Sequence, residues 1–247
     1  MRRLPTGILV VTLAVAAFLA TGPGLQAQGL SAKLDPTGMI HLMSGDVELA
    51  ALELNAHGPQ WKHASQADAT AQVSDLPNQA GKRFVGTLPV PDSGGALAFT
   101  ETVQALALGL RVEYEVGVTQ AMTLDGLQVS VNLPVARYGG KTLIVTRLEE
   151  DPQPLTLPAE QTPGVGQLWS GQGSKLELDR GTDQALTIDL QGPADVLVQD
   201  LRQWQQPLFE IRFPAIMEDP ARAVTPADKF HLLLTLTLAA PAKLVGP

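Results

Sequence analysis

The chain has 247 residues, 25 of them acidic and 17 basic, no cysteine, and a formal charge of −8. With no cluster of Lys and Arg, this acidic balance argues against nucleic acid or anionic lipid as a partner, because both need concentrated positive charge. The absence of cysteine excludes disulfides and thiol chemistry, so an apolar core must hold one large β domain or two small ones by itself.

The N-terminus comes first in chain order. Arg2 and Arg3 precede an apolar run of 13 residues, Ile8 to Ala20, which Gly22-Pro23-Gly24 ends before the small residues Ala27 and Gly29. This is the layout of a secretory signal peptide. The run is short for a membrane span, which needs about 20 apolar residues. The pattern predicts a leader over 1–28 and a secreted or periplasmic mature chain with no membrane span. Losing Arg2 and Arg3 leaves 15 basic against 25 acidic residues, a charge of −10. An uncleaved anchor is the alternative. With no cysteine after the run, a lipoprotein anchor is excluded.

Residues 56–81 carry Ala, Gln, Ser and Asp without a period and predict a long surface loop with at most a short strand. Beyond them alternation dominates. Val112, Tyr114, Val116 and Val118 share one face of "RVEYEVGVT", and Leu127, Val129, Val131 and Leu133 one face of "GLQVSVNLP". The same period runs through "KLELD", "ALTIDL", "LFEIRF" and "KFHLLLTLTL", and "PDSGG", "LDGL", "RYGG", "DRGTD" and "QGPAD" punctuate it. Period 2 marks half-buried strands, and short strands between turn clusters mark antiparallel sheets packed face to face. The prediction is one all-β domain over 29–247, a two-sheet antiparallel sandwich of about a dozen strands with few helices. The Pro-rich stretch 149–167 is an excursion within it.

Three motif matches are declined. "VARYGGKT" ends like a phosphate-binding loop, but Val135 replaces the first glycine and "TLIVTRL" reads as a strand where the motif needs a helix. "PDSGG" and "NAHG" resemble protease nucleophile and histidine motifs. However, Pro91 stands where glycine is required, and His57 and Ser93 are too close in sequence for a double-barrel protease. His41, His57, His63 and His231 lack HxH or HxxxH spacing, so no metal or other cofactor is expected. His57, His63 and Asp68 could still converge on a ligand around Trp61.

Carboxylates for glycoside chemistry exist in Glu113 with Glu115, Glu149 with Glu150, and Asp200, although the first two alternate with buried positions on a wet face. Sugar rings stack on aromatic platforms, and aromatic content is only 4%. Trp61 and Trp169 lie in polar surroundings where a large aromatic needs a reason. In "VLVQDLRQW", Asp200, Arg202 and Trp204 continue the parity of Val196 and Val198. They read either as an ion pair closing a strand end with Trp204 over the core edge, or as a ligand clamp with Arg202 reaching out. The candidate ligand-binding residues are Trp61, Trp169, Arg202 and Trp204.

"FTETVQALALGLRVEYEVGVTQAMTLDGLQVSVNLPVARYGG" and "LTIDLQGPADVLVQDLRQW" resemble the central strands of galactose-mutarotase-like supersandwich domains of bacterial carbohydrate-active proteins. The resemblance covers roughly residues 83–238. It implies packed antiparallel sheets with a concave face suited to carbohydrate. It also implies two histidines and a carboxylate in the cleft. No histidine lies between residues 64 and 230, so no catalytic residue is carried over. The expectation is an exported, non-catalytic protein that binds, or is accessory to, carbohydrate or an envelope polymer. A glycoside hydrolase, lyase or epimerase is the second reading, and a structural envelope or assembly protein the third.

Overall fold

The computed structural model describes residues 29–247 apart from 148 and 149. The leader expected over 1–28 and the candidate Glu149 therefore lie outside the described residues. The sequence periods become strands. Between Gly109 and Val118, Val112, Tyr114, Val116 and Val118 are buried while Arg111 and Glu115 face water.

β1 (Leu30–Leu34), β2 (Ile40–Ser44) and β3 (Val47–Gly58) form a meander, and β4 (Lys62–Ser65) folds back on the end of β3. β5 (Thr70–Asp75), β6 (Gly81–Val90), β7 (Gly95–Leu106) and β8 (Gly109–Val118) pair in succession. β9 (Met122–Pro134) runs beside β3 and ends in one helical turn, α1 (Val135–Tyr138). β10 (Thr142–Thr146), β11 (Gln153–Thr156) and β12 (Gln167–Leu178) form a branch. β13 (Leu186–Asp200), β14 (Leu208–Val224), β15 (Lys229–Leu238) and β16 (Ala242–Val245) complete the set.

Hydrogen bonding is continuous along β16-β1-β2-β3-β9-β14-β13-β15-β8-β7-β6-β5, and every pairing is antiparallel except β1 with β16. The sheet curls because β13 changes partner along its length. Leu186–Leu190 pair with β15, whereas Leu197–Asp200 pair with β14. Gly192 sits between the two halves at φ +93°, a left-handed conformation that glycine adopts without steric cost, and Pro193 has no N–H to donate to a ladder.

One apolar cluster fills the curl, with Leu54 and Val129 from β3 and β9 and Phe84, Phe99 and Val112 from β6 to β8. A buried polar bridge crosses it. The Gln66 side chain accepts from the Leu54 N–H at 2.7 Å and donates to Glu101 Oε2 at 2.7 Å, and Tyr114 Oη donates to Glu101 Oε1 at 2.9 Å.

The stretch expected as a loop, 56–81, instead holds the end of β3, all of β4 and β5, and the fully buried Gln66. β5 shows no period because it is an edge strand with both faces largely in water, so no position along it has to be apolar.

Candidate functional site

β3, β9 and β14 are neighbours, and their core-side residues are apolar as the alternation requires. Their other face carries Glu53, Asn55 and His57 from β3, Gln128, Ser130 and Asn132 from β9, and Glu210 and Arg212 from β14. A solvated strand face would leave these side chains exposed. Here Glu53, Asn55, His57, Gln128, Ser130, Asn132 and Glu210 are at most 9% exposed.

The charges on this face are engaged. Ser130 Oγ donates to Glu210 Oε1 at 2.6 Å, and Arg212 Nε donates to Glu210 Oε2 at 2.7 Å. Asn132 Nδ2 donates to Glu53 Oε1 at 2.8 Å, and Ser65 Oγ donates to the other oxygen of Glu53. His63 Nε2 donates to Asn55 Oδ1 at 3.2 Å, and its ring centroid lies 5.3 Å from that of His57. Burial first, then the charges of Arg212 and His63, lower the His57 pKa to about 3. His57 is therefore a neutral imidazole at any ordinary pH.

Four buried polar atoms on or beside this face have no protein partner: His57 Nδ1, Gln128 Nε2, Asn132 Oδ1 and Gln199 Oε1. Gln199 joins the row through β13, where it pairs directly with Glu210. Such atoms are few in folded proteins, and each calls for an explanation. All four are uncharged at neutral pH, and they include both a donor and acceptors.

Trp61 stands at the rim. Its ring centroid is 5.4 Å from that of His57, and the residue is 41% exposed. It follows β3 in a tight turn, Pro59–Trp61, where Gln60 and Trp61 both have positive φ, 62° and 57°. Left-handed backbone costs a non-glycine residue roughly 1–2 kcal/mol. The Trp61 N–H donates to Asp125 Oδ2 at 2.7 Å. Gly126 packs under His57 and Gln128, since a Cβ there would crowd His57 Nδ1 at 3.0 Å and Gln128 Oε1 at 3.3 Å while making only ordinary contact with Trp61 Cζ3 at 3.5 Å.

The other sequence candidates lie elsewhere. Trp169 is in β12, half-buried, with the Arg147 guanidinium 5.4 Å over its ring. Arg202 binds Asp200 through Nε at 2.9 Å and Nη2 at 2.7 Å, and donates to the carbonyls of Pro158 and Ala159 at 2.8 Å each. These bonds close the end of β13, and Trp204, 53% exposed, lies against Gly166.

Asp68 caps the turn at Ser65. Ser93 serves the β6–β7 turn by donating to the Val90 carbonyl at 2.8 Å. Lys141 pairs with Asp179 at 2.8 Å, and a strand, β10, follows it. His41 and His231 pair with Glu48 and Glu113 at 2.7 and 2.8 Å. Among the described residues no three His, Asp or Glu side chains are grouped as a metal would need.

No protein-family model matches the sequence, and no curated protein matches it. Solved structures do. A galactose mutarotase-like protein from Lactobacillus casei superposes with a TM-score of 0.54 at 14% identity, covering 85% of this chain and all of that one. A galactose mutarotase related enzyme from Lactobacillus acidophilus superposes with a TM-score of 0.51 at 10% identity, covering 88% of this chain and 97% of that one. The chain has the galactose mutarotase-like fold. At this identity the likeness extends to the fold alone, and any role for the polar face rests on its own residues. Sequence reasoning named Trp61 as a candidate and did not single out Glu53, Asn55, Gln128, Ser130, Asn132 or Glu210. Their one local signal was their phase in "LELNAHG", "LQVSVNLP" and "LFEIRF".

Proposed function

We propose that the protein binds carbohydrate on the polar face of β3, β9 and β14, with Trp61 as one wall, and performs no chemistry on it. The supporting observation is the meeting on one face of four unpartnered uncharged polar atoms with a rim tryptophan. Sugar hydroxyls both donate and accept, so they match the mixed donor and acceptor character of Gln128 Nε2, Asn132 Oδ1 and Gln199 Oε1, which the register spreads along the face. The exposed side of an indole offers the apolar surface on which the C–H face of a pyranose rests.

A hydrolase or epimerase needs acid–base groups that titrate near its working pH. His57, with a pKa of about 3, is too weak a base for that. Both carboxylates of the face already accept two side-chain hydrogen bonds each.

Titration with a panel of neutral oligosaccharides, followed by tryptophan fluorescence, is expected to show saturable binding. Truncating a binding-site tryptophan costs roughly 2 kcal/mol, about 30-fold in affinity. Trp61→Ala is expected to lose that much and Trp204→Ala almost nothing. Unchanged affinity in Trp61→Ala would remove the reading.

Export is the second part of the proposal and rests on the leader pattern of 1–28. N-terminal sequencing of the protein recovered from its native host is expected to start near residue 28. A chain that retains Arg2 and fractionates with membranes contradicts it.

A further inference from the structure

We propose that Asp125 is a positioning residue for Trp61. By holding the Trp61 backbone amide, its carboxylate keeps the indole at the rim of the polar face. The functional meaning of this role rests on the carbohydrate reading above, but the geometry stands apart from it.

Gln60 and Trp61 are consecutive non-glycine residues in left-handed backbone, an arrangement that relaxes unless something outside the turn holds it. The Trp61 side chain does not itself supply the compensation, because 41% of the residue remains in water. Strained backbone that presents an exposed aromatic is the pattern of a ligand wall rather than of a core contact.

Asp125 is well placed to hold the turn. It is 4% exposed, and it falls where the β9 ladders are interrupted. On the β14 side the register passes from Met217 opposite Gly126 to Arg222 opposite Leu124, and on the β3 side pairing ends with His57 opposite Gly126. Asp125 thus stands outside both ladders, and its carboxylate is directed at the Trp61 N–H, 2.7 Å away. A hydrogen bond to a carboxylate is shorter and stronger than one between neutral groups. The next residue, Gly126, lies beside the ring, its Cβ position 3.5 Å from Trp61 Cζ3. The turn is also tied down on both sides, before it by Gly58 packed so closely on Pro91 that a Cβ would meet its carbonyl oxygen at 2.1 Å, and after it by Lys62 paired with Asp92. These contacts hold the turn in place but do not reach the Trp61 amide.

The test needs no ligand. In a Trp169→Phe, Trp204→Phe background Trp61 is the only tryptophan of the three, so its anisotropy and acrylamide quenching can be read directly. Asp125→Ala is expected to raise the quenching constant about twofold and to lower the anisotropy. Asp125→Asn, which keeps an acceptor oxygen, is expected to restore most of both, and the thermal midpoints of the variants are followed in parallel. Trp61 signals unchanged by alanine, or equally disturbed by asparagine, would overturn the proposal. Should the alanine variant fail to fold, the unmodified chain decides. Its Trp61 amide is expected to exchange with solvent at least tenfold more slowly than an unprotected amide, and exchange at the unprotected rate would overturn the assignment. A chain that binds no sugar removes the carbohydrate reading while these measurements still decide the positioning role.

Discussion

Glu101→Gln is expected to make the protein more stable at pH 8.5 and to remove most of the loss in stability that the unmodified chain shows between pH 5 and 8. Glu101 is fully buried, and desolvation raises its pKa from 4.5 to about 8 against the opposing hydrogen bonds from Tyr114 and Gln66. Between those values the folded chain holds a proton that the unfolded chain has released, so stability falls as pH rises from 4.5 to about 8 and levels off beyond. A shift of this size corresponds to about 3–5 kcal/mol over that window. Glutamine suits the site, because its amide can donate to Tyr114 Oη while its oxygen accepts from Gln66 Nε2. Tyr114 then passes its own hydrogen to Gln66 Oε1, 3.0 Å away.

His57 governs the acid side with the opposite sign. Its pKa falls from 6.5 unfolded to about 3 folded, so stability declines as pH drops from 6.5 towards 3. The two slopes oppose one another between pH 4.5 and 6.5, where the unmodified chain is expected to be most stable. Denaturant midpoints at pH 4, 5.5, 7 and 8.5 for both proteins provide the test. Parallel curves would mean that Glu101 is not the group responsible.

Removing Arg202 is expected to destabilise the fold by about 3–4 kcal/mol, because it strands a buried carboxylate. The Asp200 side chain is 1% exposed, and without Arg202 Nε and Nη2 it retains one bond, from the backbone N–H of residue 202 at 3.1 Å. The reciprocal change is expected to cost less, about 2 kcal/mol. After Asp200→Ala, the guanidinium, 15% exposed, still donates to the Pro158 and Ala159 carbonyls and lies 5.3 Å over the Phe209 ring. Sequence alone suggests equal losses for the two partners, and the asymmetry follows from the loop carbonyls that only the folded chain brings to Arg202. The double variant is expected to lose less than the sum, since the second removal takes away the unpaired charge. Additive losses, or midpoints unchanged in all three variants, would contradict a structural pair at the end of β13.

What the chain determines locally is the phase of its strands. In "RVEYEVGVT" or "LFEIRF" each residue's side follows from its parity, because a strand next to an apolar core needs an apolar residue at every second position. The all-β class and most strands were legible for that reason. Trp61 stood out as a large aromatic in polar company, but its place beside His57 did not. Glu101 could have been read from its phase with Phe99 and Val103, which places a carboxyl on the core side of β7. β4 and β5 were not legible, since an edge strand in water carries no apolar code.

Only the tertiary structure decided what the second face of β3, β9 and β14 does. A polar residue out of phase with the core looks the same in sequence whether it faces solvent, as Glu115 does, or is buried in a polar row, as Gln128 and Ser130 are. The row depends on cross-strand register, which sets His57 beside Gly126 and Ser130 beside Arg212, across separations that no local pattern encodes. Hydrogen bonds and burial then set the protonation of His57 and leave its neighbours with unused bonding capacity. Those properties arise from the meeting of distant strands.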